Sequence, residues 1–461
     1  MSDRCNYNSS NPCLYVGGNY NNQSRNYGLF YSNSNSTSNT NTNIGSRTQN
    51  MTWLVSYADP VRGAVVAHPS VKICHIRGGL VLPTGRRKDR TAKLESIYMK
   101  RANNLYEKMV SEENIRRAIE QVNKSHRWLK GHRPNRTVAW IETTMEERIT
   151  ELRGIIEDGF HPTKPTVKRR YDRNAKKWRN IAEPRLYPDQ YIHHILIQVL
   201  EPVMMRGMDP YCCGSIKGRG THRGVRSIKR WMKNDRKGTW WCAELDIYHF
   251  YEQLSPEVVM NRMKCLVKDR RALDLIERCL EHGVTIGAYT SQWFANTVLQ
   301  PLDVLIRENG ASHYLRYMDN FTIFAARKKA IIRIIKEAKR WLKEHGLRLK
   351  GTWQYFRTKV RTPNALGYRY GRDYTLIRKG RLLSIKRQIR SYYRSKREVS
   401  VKFAVGLLSR LSGLIYCNNR NIYKRFVPNG LQRRLKDIAR TNRKEELLWS
   451  TFLESYSAMA M

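Results

Sequence analysis

The stretch from His313 to Ala325, with the sequence HYLRYMDNFTIFA, constrains the fold of this chain most strongly. Two runs rich in β-branched and aromatic residues flank a short polar tip made of Met318, Asp319 and Asn320, and this pattern predicts a β-hairpin. The backbone of a tight hairpin has little freedom. We therefore expect the carboxylate of Asp319 to be held at a fixed point at the end of a sheet.

A second acid, Asp246, lies in a similar setting at the end of the apolar, strand-like run TWWCAELD. Between the two acids lies VTIGAYTSQWFANTVLQPLD, which predicts a glycine turn followed by a long amphipathic helix. In this order the three elements resemble the palm of a reverse transcriptase: an Asp-bearing strand, a G-x-x-x-S-Q turn with its helix, and a Y-x-D-D hairpin. The resemblance extends from about Asn103 to about Lys386, and three ordered motifs are far more specific than any one of them.

The resemblance implies an α+β fold shaped as the right hand of a polymerase. Its parts would be α-rich fingers, an antiparallel palm sheet backed by helices, and a helical thumb. The expected segments are a weakly ordered N-terminal region at residues 1–93, fingers at 94–240, a palm with the catalytic motifs and primer grip at 241–380, and a basic helical thumb at 381–461.

The implied reaction is RNA-directed DNA synthesis, a nucleotidyl transfer assisted by two Mg²⁺ ions about 3.5 to 4 Å apart. Because Mg²⁺ takes oxygen ligands, carboxylates from two strand ends must converge on one point. The expected metal ligands are Asp246, Ile247 and Asp319, and Mn²⁺ is an alternative ion.

Two further residues complete the expected catalytic group. Asn320 stands where the family normally carries a second consecutive Asp. Its amide oxygen can coordinate Mg²⁺ but brings no charge, so we expect a weaker metal affinity. The resemblance places Lys350 as a proton donor to the leaving pyrophosphate. Glu244 shares a strand face with Asp246, and we interpret it as an ordinary surface acid.

Six residues are expected to contact the incoming nucleotide. Tyr251 lies five residues after Asp246, where the resemblance implies an aromatic ring that excludes a ribose 2′-hydroxyl. Ile286 stands directly before the turn glycine, where accurate reverse transcriptases usually carry a Gln. The other members are Gly287 and Gln292 and, in the predicted hairpin PTVKRRYDRNAKKWRNIAEPRLYPDQ, Lys177 and Arg179. A solvated basic strand is the alternative interpretation of that hairpin.

Ile286 is also expected to affect how accurately the incoming nucleotide is matched to the template base. A Gln at this position can hydrogen-bond the nucleotide and help to judge the base pair, whereas an apolar side chain only fills space. The resemblance implies that the mutagenic enzymes of the family carry a small aliphatic residue here and misincorporate opposite template adenines. The alternative is that Ile286 is simply well packed.

Two segments are expected to bind nucleic acid. The run CCGSIKGRGTHRG supplies Lys217, Arg219 and His222 and resembles the template-gripping G-R-G segment of the family. The run LGYRYGRDYTLIRK resembles the primer-grip hairpin and supplies Tyr368. Residues 381–440 carry sixteen Lys and Arg against two acids, which suits a thumb on an RNA/DNA duplex.

The formal net charge of +46, from 85 Lys and Arg against 39 Asp and Glu, indicates a polyanionic partner. Template RNA, an RNA/DNA duplex and deoxynucleoside triphosphates are therefore the expected partners. No apolar run is long enough to span a membrane and no signal peptide opens the chain, so no membrane partner is expected. The nine scattered Cys show no paired C-x-x-C spacing of a zinc site and favour a reducing cytoplasm.

The first 50 residues contain thirteen Asn and few aliphatic or charged residues. One interpretation is a disordered polar tail. The other is a resemblance to the variable C-terminal end of the lectin-fold targets of diversity-generating retroelements. In those elements a template repeat is copied with adenines randomised, and a reading frame through the template would encode such a segment.

The sequence leaves three hypotheses. The favoured one is a bacterial or phage reverse transcriptase of the diversity-generating retroelement type, error-prone at adenines and served by a small basic oligomeric accessory protein. The second is a reverse transcriptase of the retron, antiphage-defence or group II intron type. The third is an RNA-binding scaffold on a catalytically weakened polymerase fold, because Asn320 replaces an Asp.

Overall fold

The computed structural model of the chain describes residues 100–129, 133–172, 177–394, 399–418, 424–440 and 443–460, with six short strands in the first 92 residues. The chain divides into two compact units, Met1–Ala92 and Lys93–Met461. The strands of the first unit pair as β1 (Cys13–Tyr15) with β2 (Tyr31–Asn33), β3 (Tyr57–Ala58) with β4 (Val65–Val66), and β5 (His75–Ile76) with β6 (Gly79–Leu80). The rest of the Asn-rich segment predicted at 1–93 lies outside the described residues.

The second unit begins with four helices: α1 (Tyr106–Val110), α2 (Glu112–His126), α3 (Arg136–Thr143) and α4 (Met145–Glu157). Ser111 caps α2, because its hydroxyl accepts a hydrogen bond from the N–H of Asn114. Apolar residues at three and four spacing on α2 are fully buried, among them Ile115, Ile119 and Val122. These helices therefore pack through one apolar face, as their periodicity predicts.

A two-stranded ribbon follows, made of β7 (Thr166–Asp172) and β8 (Lys177–Glu183). The strands are antiparallel and pair over seven residues, from Thr166 opposite Glu183 to Asp172 opposite Lys177. The predicted basic hairpin is thus confirmed. A single helical turn, Leu186–Gln190, then leads into the buried helix α5 (Tyr191–Met205).

The central sheet has four antiparallel strands in the order β10-β11-β9-β12. Their bounds are β9 (Trp241–Asp246), β10 (His313–Tyr317), β11 (Asn320–Ala325) and β12 (Gln354–Arg357). The hairpin predicted at His313 to Ala325 is confirmed, and β9 pairs with its second strand. Helix α12 (Lys328–Glu344) packs on β11 and β9 through an apolar face that includes Ile331, Ile334 and Trp341.

The connections between the strands are helical. Ser255 caps the helix that begins at Pro256, because its hydroxyl accepts a hydrogen bond from the N–H of Val258. The helices are α6 (Thr221–Asn234), α7 (Phe250–Gln253), α8 (Pro256–Leu266), α9 (Arg270–Cys279), α10 (Tyr289–Val298) and α11 (Gln300–Glu308).

The remaining residues form a small sheet and further helices. The sheet orders β13 (Asn364–Ala365), β14 (Tyr368–Tyr370) and β15 (Thr375–Ile377). The helices are α13 (Lys379–Arg394), α14 (Val401–Ser412), the 3₁₀ turn Gly413–Tyr416, α15 (Leu431–Arg440) and α16 (Arg443–Ala460). A second apolar core joins α6, the small sheet and helices α13 to α15.

Helices and antiparallel sheets thus combine as the α+β prediction states. In the described part of the chain, none of the helices has both the length and the hydrophobicity needed to cross a bilayer.

Candidate active site

The two predicted catalytic acids meet at one end of the central sheet. Asp246 is the last residue of β9, and its partner across the ladder is Asn320, the first residue of β11. The backbone N–H of Ile247 donates to the carbonyl of Asp319 at 3.2 Å, which ties the hairpin turn to the end of β9. Met318 adopts a left-handed conformation with φ 57°, so the turn is tight.

The electrostatics of Asp319 reflect this convergence. Burial raises the pKa of its carboxyl above the ordinary value, and the negative charge of Asp246 raises it further. Hydrogen bonds from its own N–H and from the amide of Asn320, together with the positive charge of Arg179, oppose the increase. A cation near Asp319 would therefore offset the repulsion from Asp246 and stabilise the ionised carboxylate.

The other two predicted catalytic residues lie at the same point. The Nδ2 of Asn320 donates to Oδ1 of Asp319 at 3.0 Å. The Nζ of Lys350 lies 3.6 Å from Oδ2 of Asp246, and its backbone N–H donates to the Asp246 carbonyl at 2.8 Å. Four side chains from the end of β9, the β10–β11 hairpin and the segment before β12 thus share one site.

The donor set suits Mg²⁺. Within the described residues, no three His, Cys, Asp or Glu side chains come together, so two carboxylates are the core of the set. Mg²⁺ is commonly bound through one or two carboxylates plus water and substrate phosphates. Asp319 directly precedes the ladder partner of Asp246, and the negative charge of Asp246 raises the pKa of Asp319, an effect that a bound divalent cation would offset. Ile247 would contribute its backbone, which lies between the two acids.

The glycine turn lies against the ribbon. Gly287 has φ 131°, and a Cβ there would overlap the carbonyl oxygen of Ala182 on β8. The Nε2 of Gln190 donates to the Gly287 carbonyl at 3.1 Å, a contact that sequence analysis did not predict. Glycine is therefore required where the turn meets the ribbon.

Three predicted nucleotide contacts lie around this turn. Tyr251 is half-buried near Asp319, and burial with the charge of Asp319 raises the pKa of its phenol. Ile286 is half-buried beside Gly287. Arg179 lies on β8 and its positive charge lowers the pKa of Asp319, whereas the side chain of Lys177 lies outside the described residues.

Gln292 and Lys217 border a cavity of about 380 Å³ on the other side of α10. Its lining is mostly polar and comprises Arg117, Gln121, Gln198, Glu201, Ser215, Lys217, Tyr289, Gln292 and Trp293. Gln292 thus lines this cavity together with Ser215 and Lys217 of the basic segment before α6.

The basic segment before α6 is partly exposed. Lys217 and His222 are exposed, and the His222 ring lies 4.7 Å from the Tyr416 ring. Arg219 is half-buried, and its Nη1 donates to the Asp209 carbonyl at 2.8 Å. Arg219 thus has a structural contact as well as an accessible position.

The prediction that Tyr368 contacts nucleic acid is wrong. Its ring is fully buried in the second core, and its hydroxyl donates to the Gly413 carbonyl at 2.9 Å. Side chains alternate along β14, so Tyr370 is also buried and Arg369 is exposed. Arg369 is the side chain of this strand that a duplex could contact.

A buried network beneath the hairpin, made of Asn296, Asp303, Tyr314 and Arg316, was not predicted from sequence. Arg316 is fully buried and donates to both oxygens of Asp303 at 2.7 Å. It also donates to Oδ1 of Asn296 at 2.8 Å and to the Met318 carbonyl at 3.3 Å. The Nδ2 of Asn296 donates to the Gly214 carbonyl at 3.0 Å. The network therefore joins the catalytic turn to the loop before α6.

Glu244 has a structural role. Its two carboxylate oxygens accept hydrogen bonds at 2.6 Å from Nε2 of Gln354 and from the N–H of Asn364. These contacts tie β9 to β12 and to the start of β13. Glu244 is not the free surface acid that sequence analysis expected.

Two comparisons relate this chain to known proteins. Residues 164–370 match the reverse transcriptase (RNA-dependent DNA polymerase) family. A stretch of 100 residues is 29% identical to nuclear intron maturase 1, mitochondrial, of Arabidopsis thaliana. That match covers 22% of this chain and 14% of the maturase.

Proposed function

From the reverse transcriptase domain at residues 164–370, which marks a nucleotidyltransferase, we propose that the chain synthesises DNA on an RNA template. The observation that carries the proposal is the convergence of Asp246 and Asp319 at one end of the central sheet. Template RNA, its RNA/DNA duplex and deoxynucleoside triphosphates would be the substrates. The cytoplasm of a bacterium or an infected cell is the proposed setting.

The residues of the site divide the work of the reaction. When bound, Mg²⁺ or Mn²⁺ would supply the positive charge that neutralises the triphosphate and the attacking hydroxyl. Asp246 and Asp319, with the backbone of Ile247, would hold the ions. Asn320 holds Asp319 through its amide, and Lys350, whose Nζ lies 3.6 Å from Oδ2 of Asp246, would donate a proton to the departing pyrophosphate.

The nucleotide would occupy the space between the ribbon and the turn. Arg179 and Lys177 on β8 would contact the triphosphate, since a guanidinium makes forked hydrogen bonds to phosphate oxygens. Tyr251 would exclude a ribose 2′-hydroxyl. Gly287 lets the turn lie against the ribbon without a side chain in between.

The experiment that tests this function is primer extension on a defined RNA with Mg²⁺. The wild-type protein should extend a DNA primer, and Asp246→Ala should lower the rate about a thousand-fold or more. RNA binding by the variant, measured in parallel, controls for folding. Equal extension by both proteins, or no extension by either while RNA binding persists, would contradict the polymerase proposal.

The finer proposal is a diversity-generating retroelement enzyme that makes errors opposite adenines. It is supported by Ile286 before the turn glycine and by the Asn-rich segment at residues 1–50. A small basic oligomeric accessory protein is part of this proposal through the resemblance alone. The alternatives are reverse transcriptases of the retron, antiphage-defence and group II intron types. For each of these types we propose the same boundaries for fingers, palm and thumb, at 94–240, 241–380 and 381–461.

Ile286→Gln tests the finer proposal. A Gln restores a hydrogen bond whose loss costs about 1 to 3 kcal/mol when a mispair leaves polar groups unpaired. We expect fewer misincorporations opposite template adenine and unchanged errors at the other three bases. Sequencing of cDNA from a defined RNA measures this. An error spectrum identical to that of the wild type would remove Ile286 from the fidelity argument.

A second candidate function, an RNA-binding scaffold, rests on Asn320. The amide leaves the site with one carboxylate fewer than the family pattern. This candidate predicts RNA binding without Mg²⁺-dependent extension, so the primer-extension experiment separates the two.

A further inference from the structure

The last helix of the chain, α16, packs on the third helix. Trp449 is 2% exposed and shares a small apolar core with Val138 and Ala139 of α3. Its indole Nε1 donates to Oε2 of Glu142 at 2.8 Å. Trp449 is thus anchored both by packing and by a partly buried hydrogen bond.

Two more contacts hold Trp449 in place. Its ring meets the ring of Trp128 edge-on, with 5.6 Å between centroids. The guanidinium of Arg127 lies 5.6 Å from the Trp449 ring and also pairs with Oε1 of Glu142 at 3.2 Å. Trp449 therefore sits in a site built from both ends of the loop that joins α2 to α3.

The opposite side of α3 contacts the turn Leu186–Gln190. Trp140 is about half a turn around the helix from Val138 and Glu142, and its ring meets the ring of Tyr187 at 5.4 Å. Leu186 packs against the Trp449 core and also against the main core. Helix α3 and Leu186 thus connect α16 to this turn.

The same turn reaches the nucleotide site. Gln190 at its end donates to the carbonyl of Gly287, the turn glycine that lies against the ribbon. The neighbouring Asp189 is fully buried and accepts a hydrogen bond from the N–H of Thr163, just before the ribbon. The position of Leu186–Gln190 therefore sets how the glycine turn and the base of the ribbon meet.

We propose that α16 is a strap that fixes the turn Leu186–Gln190 beside the nucleotide site, and that Trp449 is the positioning residue through which it acts. The structural role of α16 does not depend on the proposed polymerase function. Only the expected change in nucleotide kinetics rests on that function. The strap acts on nucleotide binding rather than on the reacting atoms, because Trp449 packs with α3 in the small core that Leu186 also borders, and lies outside the group around Asp319.

Steady-state primer extension with Trp449→Ala tests the kinetic consequence. The KM for the deoxynucleotide should rise about five-fold, while kcat and the affinity for primed RNA stay within about two-fold of wild type. Trp449→Phe keeps the packing but loses the N–H donor, so its KM should rise about two-fold. The matched control is Glu454→Ala, an exposed residue on the same helix, which should leave KM unchanged.

Amide hydrogen exchange tests the strap without relying on catalysis. The amides of residues 186–191 should exchange faster in Trp449→Ala than in the wild type or in Glu454→Ala. If the proposed polymerase function is wrong, no protein extends a primer, yet this exchange difference still appears. Unchanged exchange at 186–191, or a KM in Trp449→Phe equal to that of the wild type in an active enzyme, would overturn the proposal.

Discussion

Asp303 and Asp319 are carboxylates in one structural unit, and their surroundings differ. Asp303 is fully buried and accepts two hydrogen bonds from Arg316 and one from the Tyr314 hydroxyl. Asp319 lies at the tip of the hairpin that carries Tyr314 and Arg316. It accepts a hydrogen bond from the neutral amide of Asn320 and faces the like charge of Asp246. Both sites raise the carboxyl pKa through burial, but only the first supplies a guanidinium in direct contact.

The difference separates a structural acid from a functional one. A buried charge that is paired and hydrogen-bonded holds elements together. A carboxylate held next to another carboxylate is a position where a cation binds and lowers the repulsion. The buried network beneath the hairpin therefore fixes the turn, whereas the Asp319 carboxylate at the tip faces the like charge of Asp246, as the proposed metal site requires.

The largest expected effect comes from breaking the buried network. Arg316→Leu leaves Asp303 buried without its guanidinium and frees the Met318 carbonyl. We expect the free energy of unfolding to fall by about 3 to 5 kcal/mol, measured by urea denaturation.

A surface pair provides the control for that measurement. Arg340 pairs with Glu337 on the exposed side of α12, and Arg340→Leu should change the free energy of unfolding by less than about 1 kcal/mol. Equal losses in the two variants would show that Arg316 is no more than an ordinary ion-pair residue.

Replacing Asp319, the proposed functional acid, should raise the free energy of unfolding rather than lower it. Asp319→Asn removes a carboxylate whose pKa is raised by burial and by Asp246, so we expect the metal-free protein to gain about 1 kcal/mol at neutral pH. Primer extension should be lost in the same variant. Thermal denaturation in a chelator measures the gain.

The pH dependence of this gain follows from the direction of the shift. A raised folded-state pKa means that the folded wild type binds the proton more tightly than the unfolded chain does. The wild type therefore loses stability as pH rises from the ordinary Asp range through the folded-state pKa. The advantage of Asp319→Asn should vanish in acid and grow as pH rises. An advantage that is constant across pH would contradict the assigned charge repulsion.

The smallest effect is expected at Asn320. Asn320→Asp places a carboxylate directly across the ladder from Asp246, and like charges in that position destabilise a sheet by less than about 1 kcal/mol. In the active enzyme the added charge should lower the Mg²⁺ concentration needed for half-maximal rate. An unchanged or higher Mg²⁺ requirement would show that this side chain does not face the metals.

Local patterns in the sequence were sufficient to predict the hairpin, the ribbon and the convergence of Asp246 with Asp319. Each depends on residues within one element or on the end of a strand, where alternation and turn chemistry act over short distances. The predicted roles of Tyr251, Ile286 and Arg179 stay predictions, since they depend on a bound nucleotide.

Contacts between distant segments were beyond sequence patterns. Arg316 lies in an apolar strand and could be read as solvent-facing, because its partner Asp303 is on another element. Glu244 is held by residues 110 and 120 positions away, and Trp449 meets Glu142 across 307 positions. Alternation along β14 shows that Tyr368 and Tyr370 share a face, but only the packing of the 3₁₀ turn shows that this face is buried.

The most direct test of the metal site at Asp246 and Asp319 is backbone cleavage by bound iron. Fe²⁺ occupies oxygen-rich Mg²⁺ sites and, with ascorbate and peroxide, generates radicals that cut the nearest peptide bonds. We predict cuts close to residue 246 and to residues 318–320, suppressed by excess Mg²⁺ and absent in Asp246→Ala. Cuts elsewhere in the chain, or cuts at these positions that survive Asp246→Ala, would contradict the proposed site.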